Sequence, residues 1–188
     1  MKLIEVTGRR TERMFLDSAR FINKNDHAWV CPFDNDIRAV FDPEKNPYYR
    51  HGEAVRWVLT DDRGRLAGRI AAFIDHNLAL TYDQPTGGTG FFECIDDDLA
   101  AALLFDAAKK WLREKGMEAM DGPINFGETD KYWGLLVDGF THPSFDVPYN
   151  PPYYKRLFEQ YGFKVYYKME GFHYDLTRPM DDRFRKIA

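Results

Sequence analysis

The amino-acid sequence predicts an α+β domain, in which a mixed, mostly antiparallel twisted sheet carries helices on both faces. Three observations predict this class. Short apolar runs of strand length surround one long amphipathic helix at residues 99–115. Two of these runs are separated by Asp-Asp-Arg-Gly at 61–64, which is typical of a hairpin turn. A short helix that ends at Gly162 leads directly into an aromatic-rich run of strand character.

Length and composition are those of one folded domain. The chain has 188 residues, of which 44% are apolar and 30% charged. A net charge of −4 leaves no basic stripe, so nucleic acid is not an expected partner. Two cysteines, Cys31 and Cys94, form no disulfide framework, and no apolar run is long enough to cross a bilayer. We therefore expect a cytoplasmic protein with no membrane partner.

The first half of the chain predicts a strand, a helix, a long loop and a hairpin. Residues 3–6 form the opening strand, and Thr11 caps a helix with one apolar face. Residues 23–50 are rich in Asp, Asn and Pro, and we predict an irregular loop there. The hairpin strands are residues 55–60 and 66–74.

The second half contains the central strand and the central helix. The run TGGTG at 86–90 predicts a turn, and residues 91–95 predict a short strand after it. The following helix is expected to bury Leu99, Leu103, Leu104, Ala107, Ala108, Trp111 and Leu112. Further predicted elements are a strand at 117–124, a helix at 152–161 and one or two strands at 163–176.

The run YNPPYYKRLFEQYGF at 149–163 resembles the motif Asn-x3-Ala-x2-Leu-Tyr-x3-Gly-Phe of the GNAT superfamily of acyl-CoA N-acyltransferases. Four positions are in register: Asn150, Leu157, Gly162 and Phe163. The stretches GRLAGRIAAFID and GPINFGETDKYWGLLVDGF are similar to an uncharacterised bacterial GNAT-like family, whose members are about twice this length. The resemblance implies a GNAT-like domain at 1–178, with residues 179–188 as a truncated helix or linker to a second GNAT-like half.

The resemblance also implies that acyl-CoA, as acetyl-CoA or a longer acyl-CoA, lies between the central strand and the next strand. Its donor-binding residues would be Cys94, Ile95 and Asp96, with Asn150 near the pantetheine. The family's glycine-rich pyrophosphate turn is replaced here by Asp96–Asp98, whose carboxylates repel a diphosphate. Aspartates at a helix start are also ordinary caps, so the turn favours a structural role.

Two kinds of residue are candidates for proton transfer. Glu93 lies within an apolar run. We predict that it is either a general base with a raised pKa or a carboxylate paired with Arg69 or Arg56. The family's acidic tyrosine is replaced by Phe158, so Tyr154 or Tyr153 is the candidate acid. The alternative for both tyrosines is packing against the sheet.

The loop after residue 124 predicts the acceptor side of the site. Asn125, Glu128, Tyr132 and Trp133 combine polar groups with aromatic rings, which suits a cationic or sugar-like small-molecule amine. A solvated, self-packed loop explains them equally well. The five histidines have no ligand spacing, so we predict no metal site.

Two functions are consistent with these residues. One is acyl-CoA-dependent N-acyl transfer to an amine. The other is a degenerate, non-catalytic GNAT-like domain that serves as a structural or substrate-recognition half of a longer protein. Because the last strand of such domains often pairs with a partner, a homodimer is an alternative to an intramolecular second half.

Overall fold

The computed structural model describes residues 1–128, 134–144 and 147–172, together with Asp175 and Thr177. Within them lie five strands, five α-helices and one 3₁₀ turn. In chain order they are β1 (Lys2–Glu5), α1 (Arg9–Asn23), α2 (Asp34–Val40), the 3₁₀ turn (Pro47–Arg50), β2 (Gly52–Thr60), β3 (Leu66–Asp75), α3 (His76–Ala79), β4 (Thr86–Cys94), α4 (Asp98–Glu114), β5 (Ala119–Asp121) and α5 (Tyr154–Tyr161).

The described strands form one sheet in the order β1-β2-β3-β4-β5. Every neighbouring pair is antiparallel except β4 and β5, which run parallel. The hairpin between β2 and β3 turns at Asp61, whose carboxylate accepts the backbone N–H groups of Arg63 and Arg65. The predicted mixed, mostly antiparallel sheet is therefore confirmed.

Helices cover both faces of the sheet, as the sequence predicted. On one face α4 and α5 pack over alternate residues of β3 and β4, including Ile70, Ala72 and Phe92. On the other face α1 and α2 pack over Val58 and Ala71. This alternation follows from the two-residue period of a strand, which sends successive side chains to opposite faces.

The α4 helix corrects one part of the predicted buried face. Asp97 caps the helix by accepting the Ala100 N–H at 2.8 Å, so the helix starts one residue earlier than predicted. With this start, Leu99 points to solvent and is 64% exposed. The fully buried side chains are Ala100, Ala101, Leu104, Phe105, Ala108 and Leu112.

The predicted loop at 23–50 is wrong in part, because it contains α2 and the 3₁₀ turn. The seven residues of α2 are mostly polar, so their periodicity gives little signal. Tertiary packing stabilises this short helix, because its residue Ile37 and the following Phe41 are buried in the core between α2 and the sheet.

The predicted turn at TGGTG is also wrong, because these residues are the first half of β4. The glycines in this run are explained by packing. A Cβ at Gly88 would overlap the ring of Phe73, and one at Gly90 would overlap the carbonyl oxygen of Ile124. Glycine therefore marks close approach inside a buried strand here, where the sequence alone indicated a turn.

The C-terminal segment differs most from the prediction. Residues 163–172 form no strand, and Val165, Tyr166 and Tyr167 are exposed. An extended segment gains no backbone hydrogen bonds unless a neighbouring strand supplies them, and β5 has only three residues. The linker or helix predicted at 179–188 lies outside the described residues and stays a prediction. Among the residues that the structure describes, no helix is long and apolar enough to span a membrane.

The corrected face of α4 predicts two different outcomes for the same substitution. Leu104 is fully buried, so Leu104→Ala should lower the free energy of unfolding by about 2–5 kcal/mol. Leu99→Ala removes an exposed side chain from the same helix and should change it by less than about 0.5 kcal/mol. Urea unfolding followed by circular dichroism measures both. Equal losses would mean that Leu99 is buried.

Candidate functional site

The candidate site lies where β5 separates from β4. The two strands pair only at Thr86–Gly88 and Ala119–Asp121. Further along β4, Phe91 takes a left-handed conformation with φ of 53°, and the register with β3 shifts there. Beyond this bulge, the end of β4 pairs with β3 on one side, and no strand among the residues that the structure describes lies on its other side. A gap therefore opens between the end of β4 and the chain that follows β5.

The helix α5 fills this gap. Its side chains Tyr154, Leu157 and Phe158 are buried. The ring of Phe92 lies 5.0 Å from that of Tyr154 and 5.1 Å from that of Phe158, both edge to face. The remaining cavity has a volume of about 10 Å³, which is close to the smallest space that holds one water molecule.

Two tyrosine side chains bond the backbone of Cys94 where a paired strand would otherwise do so. They are Tyr153, the N-cap residue of α5, and Tyr154, its first residue. The backbone N–H of Cys94 donates to the Tyr154 hydroxyl at 2.9 Å. The Tyr153 hydroxyl donates to the carbonyl oxygen of Cys94 at 2.7 Å. A buried strand requires partners for both groups, and these two side chains supply them.

The carboxylate of Glu93 is the buried centre of the site. It accepts hydrogen bonds from the Tyr154 hydroxyl at 2.9 Å and from the Asn23 amide at 3.0 Å. Arg69 forms an ion pair with it at 3.5 Å, so Arg69 is the partner that the sequence left open. The other candidate, Arg56, lies over the rings of Phe15 and Phe41 instead.

Burial determines the protonation of this cluster. Desolvation raises the pKa of Glu93, and the Arg69 charge and the donated hydrogen bonds oppose that rise. Desolvation also raises the pKa of Tyr154, and the neighbouring Glu93 raises it further. The Tyr154 hydroxyl therefore stays protonated, and its O–H group donates the hydrogen bond to the Glu93 carboxylate. The pKa of the Tyr153 hydroxyl is raised chiefly by burial.

Asn23, the last residue of α1, is a member of the cluster that sequence reasoning missed. It follows the buried Phe15 and Ala19 at helical spacing, so a signal was present in the sequence. Its amide also donates to the Ala19 carbonyl at 3.0 Å. Its Oδ1 and the Nε of Arg69 are buried without a hydrogen-bond partner among the described residues.

The acidic turn after β4 is held by Arg156, a second residue that the sequence analysis missed. Asp97 caps α4, whereas Asp96 and Asp98 both form ion pairs with the Arg156 guanidinium. Nothing in the local sequence indicates this contact, because about sixty residues separate the partners. The turn is thus tied to α5.

Asn150 occupies the loop before α5 and is committed to backbone contacts. Its Oδ1 accepts the Leu136 N–H at 2.8 Å, and its Nδ2 donates to the carbonyls of Leu136 and Pro151. The neighbouring Tyr149 hydroxyl donates to Asp26 at 2.7 Å, which ties this loop to the end of α1. Asn150 therefore lies beside the gap and fixes the loop that covers it.

The predicted acceptor residues are only partly brought into this site. Asn125 donates to the Glu128 carbonyl at 3.1 Å. Phe126 between them packs on Phe73, which pairs with Gly88, five residues before Glu93 on β4. This segment thus lies toward the start of β4, about 16 Å along the strand from Glu93. Tyr132 and Trp133 lie outside the described residues.

The resemblance implies acyl-CoA in the gap, but the side chains do not fit it in this conformation. Tyr153 and Tyr154 occupy the outward backbone groups of Cys94 that an amide-bearing donor would use. The turn that would meet the diphosphate presents carboxylates already paired with Arg156. Ile95 donates its N–H back to Ala67 of β3 at 3.0 Å, so it does not face the gap with its amide.

Comparison with known proteins finds two curated relatives. Protein YghO of Escherichia coli is 36% identical over an alignment of 159 residues, and the match covers 76% of this chain and 40% of that protein. The bacterial ceramide synthase of Caulobacter vibrioides is 34% identical over an alignment of 148 residues, and the match covers 76% of this chain and 37% of that protein. The chain therefore spans about two fifths of the length of each relative that it matches.

No family model matches the chain. A solved structure from Clostridium acetobutylicum, described as a predicted acetyltransferase with acetyl-CoA, superposes with a TM-score of 0.51 at 11% sequence identity. The match covers 94% of this chain and 96% of that one. At this identity the likeness concerns the fold, and it confirms the GNAT fold that the sequence predicted.

The raised pKa of Glu93 predicts how stability depends on pH. The folded state holds the Glu93 proton more tightly than the unfolded chain does, because desolvation disfavours the carboxylate. This contribution is fully present below the ordinary pKa and is lost as pH rises through the folded-state pKa. Since glutamine does not titrate, the stability of Glu93→Gln relative to wild type should increase as pH rises above the ordinary pKa of glutamate.

Urea unfolding at several pH values tests this expectation. Glu118→Gln is the matched control, because Glu118 is exposed at the start of β5. A difference between Glu93→Gln and wild type that does not change with pH, or that falls as pH rises, would contradict a raised pKa at Glu93.

Proposed function

From this GNAT fold we propose that the chain is an acyl-CoA-dependent N-acyltransferase domain. In such a reaction an amine attacks the thioester carbonyl, a C–N bond forms and the C–S bond breaks. The amine loses a proton and the leaving thiolate gains one. The observation that carries the proposal is the Tyr154–Glu93 hydrogen bond at the point where β4 and β5 separate. The pair of Glu93 and Tyr154 could accept a proton beside the apolar gap.

The proposed acceptor is an amine, and we extend it to a long-chain amino alcohol. This extension is supported by the 34% identity to a protein named as a bacterial ceramide synthase. A ceramide contains an amide bond between a fatty acyl group and a long-chain amino alcohol, which N-acyl transfer would form.

Glu93 acts through Tyr154 in this proposal, because its carboxylate is buried and Tyr154 lies against it. The Tyr154 oxygen takes the amine proton while the Tyr154 proton passes to Glu93. Tyr153, whose hydroxyl is less deeply buried, is the proposed acid for the leaving thiolate. Both roles require the tyrosine hydroxyls to leave their contacts with Cys94.

Other predicted roles remain proposals. We assign the donor side to the end of β4 at Cys94, Ile95 and Asp96, with Asn150 holding the covering loop. The acceptor side is assigned to Asn125, Glu128, Tyr132 and Trp133. The cytoplasm is the proposed compartment, and either a second copy or a second GNAT-like half is the proposed partner.

A second function is favoured by one specific observation. Because Tyr153, Tyr154 and Arg156 engage the groups that a donor would contact, the same geometry suits a non-catalytic GNAT-like half. Titration with acetyl-CoA by calorimetry at moderate salt separates the two functions. Micromolar binding favours the enzyme, and no binding at millimolar concentration favours the non-catalytic half.

The proposed function predicts amide formation that depends on Glu93. The chain is incubated with a long-chain acyl-CoA and a long-chain amino alcohol, and mass spectrometry detects the amide while a thiol reagent detects free CoA. Glu93→Gln should lower the rate by about 10²–10⁴-fold, because a positioned base typically contributes that much.

The Glu118→Gln variant serves as the control and should keep the rate of the wild type. Tyr154→Phe should lose activity to a similar extent as Glu93→Gln, because the proposed proton path runs through its hydroxyl. Unchanged turnover in Glu93→Gln would remove Glu93 from the mechanism. Absence of product with every donor tested would overturn the proposed function.

A further inference from the structure

The two ends of α5 are held in different ways. Toward its C-terminal end, Phe158 packs against Phe105 with ring centroids 4.8 Å apart, and the Tyr161 hydroxyl donates to Asp106 at 2.6 Å. Toward its N-terminal end, Tyr153 and Arg156 contact the end of β4 through polar groups, by the hydrogen bond from Tyr153 to the Cys94 carbonyl and by the ion pairs of Arg156. Tyr154 between them is buried, bonds the Cys94 N–H and Glu93, and packs on Phe92.

We propose that Arg156, Asp96 and Asp98 form a latch that keeps the first turn of α5 closed over the free edge of β4. While the latch is closed, the Tyr153 hydroxyl occupies the Cys94 carbonyl. The domain accepts an amide-bearing ligand along β4 only after the latch opens. The identity of this ligand as the pantetheine arm of an acyl donor rests on the proposed function.

The geometry at Cys94 explains why the closed state excludes such a ligand. Its N–H and carbonyl point away from β3, toward the gap, and both already have partners. An extended backbone edge pairs with amide groups of an added chain, and a pantetheine arm contains two amides. The Tyr153 side chain therefore occupies the space from which an added chain would reach the Cys94 carbonyl.

The latch is suited to opening because it lies at the surface. The side chains of Arg156, Asp96 and Asp98 are 42%, 58% and 61% exposed. Exposed ion pairs contribute little to stability and are screened by salt. Tyr154, Leu157 and Phe158 are buried, so the rest of the helix stays in place when Tyr153 at its N-terminus moves. The movement is thereby limited to the latch and to Tyr153, the N-cap residue of α5.

Two variants break the latch from opposite sides. Arg156→Gln removes the cation, and the double variant Asp96→Asn with Asp98→Asn removes both anions while leaving the Asp97 cap intact. The matched control is Lys155→Gln, which removes a cation from the adjacent, exposed position of the same helix turn. S-acetylpantetheine is the probe, because it carries no phosphate and is insensitive to the charge of the turn.

Both latch variants should increase hydrogen exchange at the Leu157 amide, which donates to the Tyr153 carbonyl, with exchange at the Cys94 amide and in β2 and β3 unchanged. Both should bind S-acetylpantetheine at least about threefold more tightly than wild type, since apparent affinity rises with the open fraction. Raising NaCl from about 0.05 to 0.5 M should strengthen binding to wild type and not to Arg156→Gln, because salt screens the latch.

The proposal is overturned if exchange at the Leu157 amide is unchanged in either latch variant, or if neither binds the probe more tightly. A gain in the Asp double variant alone would also overturn it, because removal of Arg156, the cation that both aspartates share, would then leave the turn closed. Hydrogen exchange needs no substrate, so its outcome does not depend on acyl transfer. A domain that shows the latch effect and forms no amide would keep the latch and lose the proposed function.

Discussion

One backbone requirement organises this domain: the outward N–H and carbonyl of Cys94 need partners after β5 has separated from β4. In a buried strand these groups are costly to leave unpaired, and no strand within the described part of the chain reaches them. The side chains of Tyr153 and Tyr154 satisfy both. The position of α5 follows from this requirement, and so does the closure of the gap that α5 fills.

The same helix also closes the buried network around Glu93. The Glu93 carboxylate contacts Asn23 of α1, Arg69 of β3 and Tyr154 of α5. The network therefore joins these three elements at the end of β4. A buried carboxylate is tolerated only when charge and hydrogen bonds compensate its desolvation. The network therefore connects three elements of the fold and also contains a proton acceptor, Glu93. In the proposed reaction Glu93 acts only if the amine can contact the Tyr154 hydroxyl.

Much of the fold could be predicted from the sequence because its signals are local. The hairpin turn at Asp61, the α4 helix and the Gly162 helix end all appear where periodicity and turn residues indicate them. The errors occurred where packing overrides local preference. Gly88 and Gly90 lie within a strand because Phe73 and the Ile124 carbonyl approach too closely for a side chain.

By itself, the sequence determined the fold class, the hairpin of β2 and β3 and the candidacy of Glu93, Tyr153 and Tyr154. These depend on residue type and on short spacings. Only the tertiary structure decided that Arg69 pairs with Glu93, that Asn23 joins them and that Arg156 binds Asp96 and Asp98. These contacts connect residues far apart in the chain. Their partners are selected by how the elements pack, which no local pattern encodes.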